Sequence, residues 1–154
     1  YLLDSKESRH VKSIFDSIEH AIGTFSFASA FSLILTDRGS EFQTPDALEC
    51  GEDNLIRTSI YYCDSMCSWQ KPHCEKNHEY IRKICPKGTS FDDYTQKDIN
   101  RMMSHINSTP RQSLGGLSPM ALAKLILPRE LLNFFALTEI SADEIVLTPA
   151  LLKK

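Results

Sequence analysis

Two acidic residues sit in surroundings that could do chemistry. Asp37 follows the apolar run Phe31-Ser32-Leu33-Ile34-Leu35 and is followed at once by the Gly39 turn, in the stretch LTDRGSEF. A strand ending this way leaves a carboxylate uncovered at the carboxyl end of a sheet, where open α/β sheets form ligand crevices. Glu75, with 37 residues between it and Asp37, falls in PHCEKNHEYIRK. Proline suits the first turn of a helix, so a helix is predicted from Pro72 with Glu75 in that turn. There the helix dipole favours an ionised acid. Two such oxygen donors can hold magnesium, which keeps several of its waters. A pair of these ions about 4 Å apart activates an attacking hydroxyl and stabilises the leaving oxygen in phosphoryl transfer. A turn aspartate and an ordinary helix-start charge give the same spacing, which leaves both readings open.

The elements that must position these residues follow from periodicity. Val11, Ile14, Phe15, Ile18 and Ile22 recur at threes and fours, which predicts an amphipathic helix over 8–22. Residues 31–36 read as a buried strand, residues 44–54, with Pro45 and Gly51, as a loop, and residues 58–62 as a second strand. On the helix over 72–84, Tyr80, Ile81 and Ile84 share one side while Glu75, His78, Glu79 and Arg82 share the other. Pro86-Lys87-Gly88 stops it. Thr95-Gln96-Lys97-Asp98 matches a capping box for a helix that places Ile99, Met102, Met103 and Ile106 on its core face. A loop over 108–116, a helix opened by Ser118-Pro119, and a helix over 131–137 complete the chain. Early strands separated by helices, then several helices, predict an α/β layer architecture with a helical C-terminal portion.

The composition is that of an ordinary globular protein, with 42% hydrophobic and 24% charged residues. No apolar run approaches the ~20 residues of a membrane span, and no signal peptide is expected. The chain opens on Tyr1-Leu2-Leu3-Asp4 without methionine, as the end of a strand would, so a fragment is expected. Five cysteines, an odd number, predict reduced thiols rather than a disulfide framework. The net charge of −3 is unevenly spread. Residues 1–70 hold five Lys/Arg against eleven Asp/Glu, residues 71–111 hold eight against five, and the remainder balances. The basic segment gains meaning only beside a site that handles phosphates.

Taken in order, these stretches resemble the catalytic core of a DDE-type bacterial insertion-sequence transposase, of the retroviral-integrase-like superfamily. LTDRGSEF resembles its second-aspartate strand, T-D-N/R-G-x-E-F. YYCDSMCSWQKPHCEKNHEYIRK resembles a Trp-Gln lead-in followed by the glutamate helix. ICPKGTSFDDYTQKDINRMMSHINSTPRQSLGGLSP resembles a Pro-Lys-Gly-Thr turn, a helix and an Asn-x-x-Pro-Arg loop with Leu-Gly before Ser-Pro. The likeness covers roughly residues 31–125. It implies a ribonuclease-H-like mixed sheet flanked by helices and N-terminally truncated. Residues 1–125 would be a partial catalytic core and 126–154 a helical C-terminal extension.

Carried over by position, Asp37 matches the second acidic residue of the triad and Glu75 the third, both ligands of Mg²⁺ or Mn²⁺. The implied reaction is metal-dependent phosphodiester hydrolysis and strand transfer at element ends. The implied partners are transposon-end and target DNA, with no membrane, and the full-length protein would be a homo-oligomer. The setting would be the bacterial cytoplasm, at the nucleoid. Two departures stand out. Cys74 occupies a position where the family often has asparagine, and nothing matches the first, upstream aspartate; Asp4 is not assigned to that role. The fragment alone is therefore expected to be inactive.

Trp69 can stack on DNA or pack as a half-buried tryptophan. Lys71, Lys76 and Arg82 can meet phosphates, as can Lys83 and Lys87, or be solvated surface charges. The resemblance includes Arg111, which would contact the DNA backbone or tie down its loop. A rival reading is a zinc-binding module without catalytic activity, built from Cys63, Cys67, His73 and Cys74 with His78 and Cys85 near. No Cys-x2-Cys pair supports it. A third class is a helical interaction domain with incidental carboxylates.

Overall fold

The computed structural model describes residues 7–64, 67–70 and 72–152. The readings at Asp4 and Lys71 lie outside these. The chain divides into two units, one ending at Pro72 and one running from His73.

The first unit contains α1 (Ser8–Ile22), α2 (Thr24–Ala30), β1 (Leu33–Thr36), α3 (Pro45–Glu49) and β2 (Ser59–Tyr62). Helix α1 has the predicted bounds and buries Val11 and Ile18. Gly23 ends it at φ 80°, a conformation that glycine adopts at no steric cost, and the chain turns directly into α2. Phe27 of α2 is buried, its ring 5.8 Å from Phe15 and 5.0 Å from Phe31. β1 and β2 pair in parallel, Leu33 opposite Ser59 and Thr36 opposite Tyr62. Such a pair needs a crossover, which here carries α3. The Glu49 carboxylate of α3 accepts the Ile60 N–H of β2 at 2.6 Å. Val11, Leu48 and Ile60 form the buried centre, with Phe15, Ile34, Phe42 and Tyr62 packed around it.

Two expectations are corrected. Residues 31–36 are not a wholly buried strand. Phe31 closes α2, its N–H bonded to Phe27 O, and in β1 Leu33 and Leu35 are exposed while Thr36 is buried. Residues 44–54 are not all loop, because Pro45 starts the short helix α3 and Leu48 is fully buried.

The second unit holds most of α4 (Pro72–Ile84), then α5 (Gln96–Ser108), α6 (Pro119–Ile126) and α7 (Arg129–Phe135). Ile84, Cys85, Ile99, Met102, Ile106, Leu151 and Leu152 make its core, and Tyr80, Ile81 and Met103 pack against it. The faces predicted for the helices over 72–84 and 96–108 are those that turn inward. The capping box at Thr95 forms in both directions: Asp98 N–H donates to Thr95 Oγ1 at 3.3 Å, and Thr95 N–H to Asp98 Oδ2 at 2.9 Å. Ser118 caps α6 by accepting the Ala121 N–H at 3.1 Å. The tail is strapped along α5 by three side chains that accept backbone N–H groups. Ser104 takes Thr138, Ser108 takes Ile140, and His105 Nδ1 takes Val146, at 3.0, 2.9 and 3.2 Å.

The coarse α/β expectation holds as a helical protein with a small parallel sheet of two strands among the described residues. No described helix is long and apolar enough to cross a membrane.

Candidate active site

Asp37 is the first residue beyond β1. The Cys63 N–H donates to Thr36 O at 2.8 Å, so the pairing of the two strands continues up to the acid. Its side chain is exposed, and Oδ1 accepts the Gly39 N–H at 3.3 Å in a turn that holds the carboxylate near the strand end. The next residue, Arg38, lines a cleft of about 350 Å³ together with Gln43, Pro45 and Tyr62. The Tyr62 hydroxyl donates to the Phe42 carbonyl, which fixes the cleft wall.

A second aspartate, Asp64, lies just past β2 as Asp37 lies past β1, and sequence reasoning passed over it. Its signal was a carboxylate soon after a strand, two residues past β2 where Asp37 is one past β1. Gln70 clamps it: the Asp64 N–H donates to Gln70 Oε1 at 2.9 Å, and Gln70 Nε2 donates to Asp64 Oδ2 at 3.0 Å. Next to Gln70, Trp69 is 72% exposed.

Arg57 was also missed, and it secures this unit from beneath. It is the largest fully buried side chain among those described. Its Nη1 reaches Asp16 Oδ1 and Glu19 Oε2, both at 2.8 Å, and Nε donates to Leu48 O at 3.0 Å. The rings of Phe15 and Phe27 flank it at 5.6 and 5.4 Å. An arginine between an isoleucine and a threonine in sequence gives no local sign of this.

In the second unit, Glu75 is exposed in the first turn of α4, as are His78, Glu79 and Arg82 on the predicted outer face. Lys76 pairs with Glu79 at 2.5 Å. That hydrogen bond raises the lysine's pKa and lowers the glutamate's. Arg111 is not a freely solvated side chain. Its guanidinium lies 5.0 Å from the centroid of Tyr80 on α4, and its Nε is buried without a hydrogen-bond partner. Asp37 belongs to the first unit and Glu75 to the second.

The cysteine–histidine alternative gains nothing. Among the described residues, no three His, Cys, Asp or Glu side chains are grouped to hold a metal. Cys63 and Cys85 are buried. Burial pushes the Cys85 thiol up, and its sulfur lies 3.8 Å from that of Met102.

The chain is similar to the transposase of insertion sequence IS1086 of Cupriavidus metallidurans, with 31% identity over 68 residues, 44% of this chain and 20% of that protein. It is 29% identical over 101 residues to the IS4351 transposase of Bacteroides fragilis, covering 66% of this chain and 30% of that one. A putative integrase of Spiroplasma virus SpV1-R8A2 B is 34% identical over 85 residues, 55% of this chain and 25% of the viral protein. The chain thus resembles insertion-sequence transposases and spans less than a third of the length of these relatives. No protein-family model matches it. No solved structure matches it either.

Proposed function

We propose that the chain is part of a DDE-type transposase, with residues 1–125 contributing to a ribonuclease-H-like catalytic core and 126–154 forming a helical extension. The observation that carries this reading is Asp37, exposed one residue past a parallel strand, with its neighbour Arg38 lining an open cleft. The similarity to transposases supports it. Glu75 supplies the second carboxylate, and the upstream sequence the third.

The donor set fits magnesium or manganese, since both side chains offer hard oxygens and both are exposed to solvent. Bound there, the ion would polarise the phosphodiester and ease deprotonation of the attacking water or 3′-hydroxyl. The chain's own part is to hold its ligands still. Asp37 is mounted on the paired strand and fixed by the Gly39 turn, and Glu75 on the first turn of α4. Trp69 is exposed to stack on a base. Lys71, Lys76, Arg82 and Arg111 meet backbone phosphates. No nucleophilic serine, tyrosine or cysteine is required.

The full protein would act as a homo-oligomer on transposon ends and target DNA in the cytoplasm, at the nucleoid. Recognition of the ends would fall to a helix-turn-helix region outside this chain. The protein with its upstream sequence restored should cleave or join end-bearing DNA in Mg²⁺. Asp37→Ala and Glu75→Ala should each abolish this. Activity retained in both variants rejects the assignment.

A further inference from the structure

One tyrosine on α4 carries two cations. Arg111 Cζ lies 5.0 Å and Lys83 Nζ 5.1 Å from the centroid of the Tyr80 ring. Among the described residues neither cation has a carboxylate within ion-pair distance, although Glu79, paired with Lys76, lies near enough to feel Lys83. Arg111 Nε is buried without a hydrogen-bond partner, so that end of the guanidinium is held inside the fold. The guanidinium is also held in advance. Its backbone N–H donates to Leu117 O at 3.0 Å, and its carbonyl accepts the Gly116 N–H at 3.1 Å, so the loop closes on itself. Gly115 and Gly116, at φ 63° and 86°, permit that closure.

A guanidinium stacked on an aromatic face keeps its planar edge for an oxyanion, and arginine matches phosphate in a two-point grip. Lys83, over the same ring, adds a point charge. We propose that Tyr80, Lys83 and Arg111 form a clamp for the phosphodiester backbone of a nucleic acid. The clamp rests on the DNA-handling reading and adds Tyr80 as the platform and Lys83 as the second cation.

The test is binding of a labelled DNA duplex by the whole chain, in EDTA so that the carboxylates play no part, over a range of salt concentrations. Arg111→Gln and Lys83→Gln should each lower the slope of log affinity against log salt by about one. Each should weaken binding about tenfold at fixed salt, with an unchanged thermal melt. Arg111→Lys should keep the slope but bind a few-fold less tightly, because ammonium lacks the fork. Tyr80→Leu should do the same.

Unaltered slope and affinity in both glutamine variants overturn the clamp while leaving the DNA reading intact. Failure of the unsubstituted chain to bind the duplex also overturns the clamp, whereas the DNA-handling reading falls only if the protein with its upstream sequence restored fails as well. Competition by inorganic phosphate as effective as that by duplex, at equal phosphate concentration, would make this a free-anion site and overturn the clamp.

Discussion

Arg57→Met tests how the strand ends that carry Asp37 are held. Methionine keeps much of the volume and the contact with Phe15 and Phe27, so the packing contribution changes little. What disappears is the charge. The Glu19 side chain is 10% exposed and its Oε1 already lacks a partner, so without Arg57 it is a buried, uncompensated carboxylate. Asp16 suffers less, because Lys12 stays 2.7 Å away. Breaking a buried ion pair by removing one partner costs about 3–5 kcal/mol, and the Asp16–Lys12 contact argues for the lower end. The orphaned Leu48 carbonyl adds about 1 kcal/mol. The expected loss is therefore about 4 kcal/mol, a large share of the roughly 5–15 kcal/mol that holds a domain together.

Amide hydrogen exchange at Ile60 and Cys63 reads this unit directly, since their N–H groups bond Glu49 and Thr36. Protection should fall about a thousandfold, at roughly 1.4 kcal/mol per factor of ten. Arg57→Met combined with Glu19→Leu should recover most of the loss, because apolar replacement of a buried pair is close to neutral. A single-variant loss below about 1 kcal/mol would refute the reasoning. So would a double variant no better than the two losses added together.

Gly51→Ala would bring a Cβ 2.7 and 2.8 Å from the Glu19 carboxylate oxygens, which Arg57 holds in place. A loss of about 1–3 kcal/mol in thermal unfolding is expected, and no loss would mean the carboxylate gives way freely. Burial, and then Arg101, push the pKa of His105 down, with Glu144 opposing, and its Nδ1 must stay unprotonated to accept the Val146 N–H. Below the ordinary imidazole value of about 6.5 the unfolded chain binds a proton that the folded chain refuses. The stabilisation is complete above that pH and is lost as pH falls towards the folded value. Val146 exchange should speed up between pH 7.5 and 5.5 relative to His105→Gln, and equal pH dependence in both proteins refutes this. Cys74, exposed, should react with a thiol reagent well before Cys85, whose thiol is buried and pushed up. Mass spectrometry of partly labelled protein decides the order, and early labelling of Cys85 would count against the packing described.

Those features that the sequence made legible are ones whose cause is local. Helices α1, α4 and α5 bury a face repeated every three or four residues, and the Thr95–Asp98 box closes within one turn, so each carries its own signal. Helix α2 escapes such a reading because a single residue, Phe27, is buried in seven. Whether Leu33 and Leu35 are covered depends on what lies over β1, and nothing in an apolar run encodes that.

The same division runs through the candidate site. Asp37 announces itself through the strand before it and the glycine after it. The cleft that its neighbour Arg38 lines needs Gln43, Pro45 and Tyr62 brought from elsewhere. Arg57 meets carboxylates 38 and 41 residues earlier, and Arg111 finds its stacking partner on another element. Groups that touch a substrate must be exposed, and a turn or a helix start shows that in a few residues. Groups that hold them in place act through distant contacts, so their roles become visible only once the chain is folded.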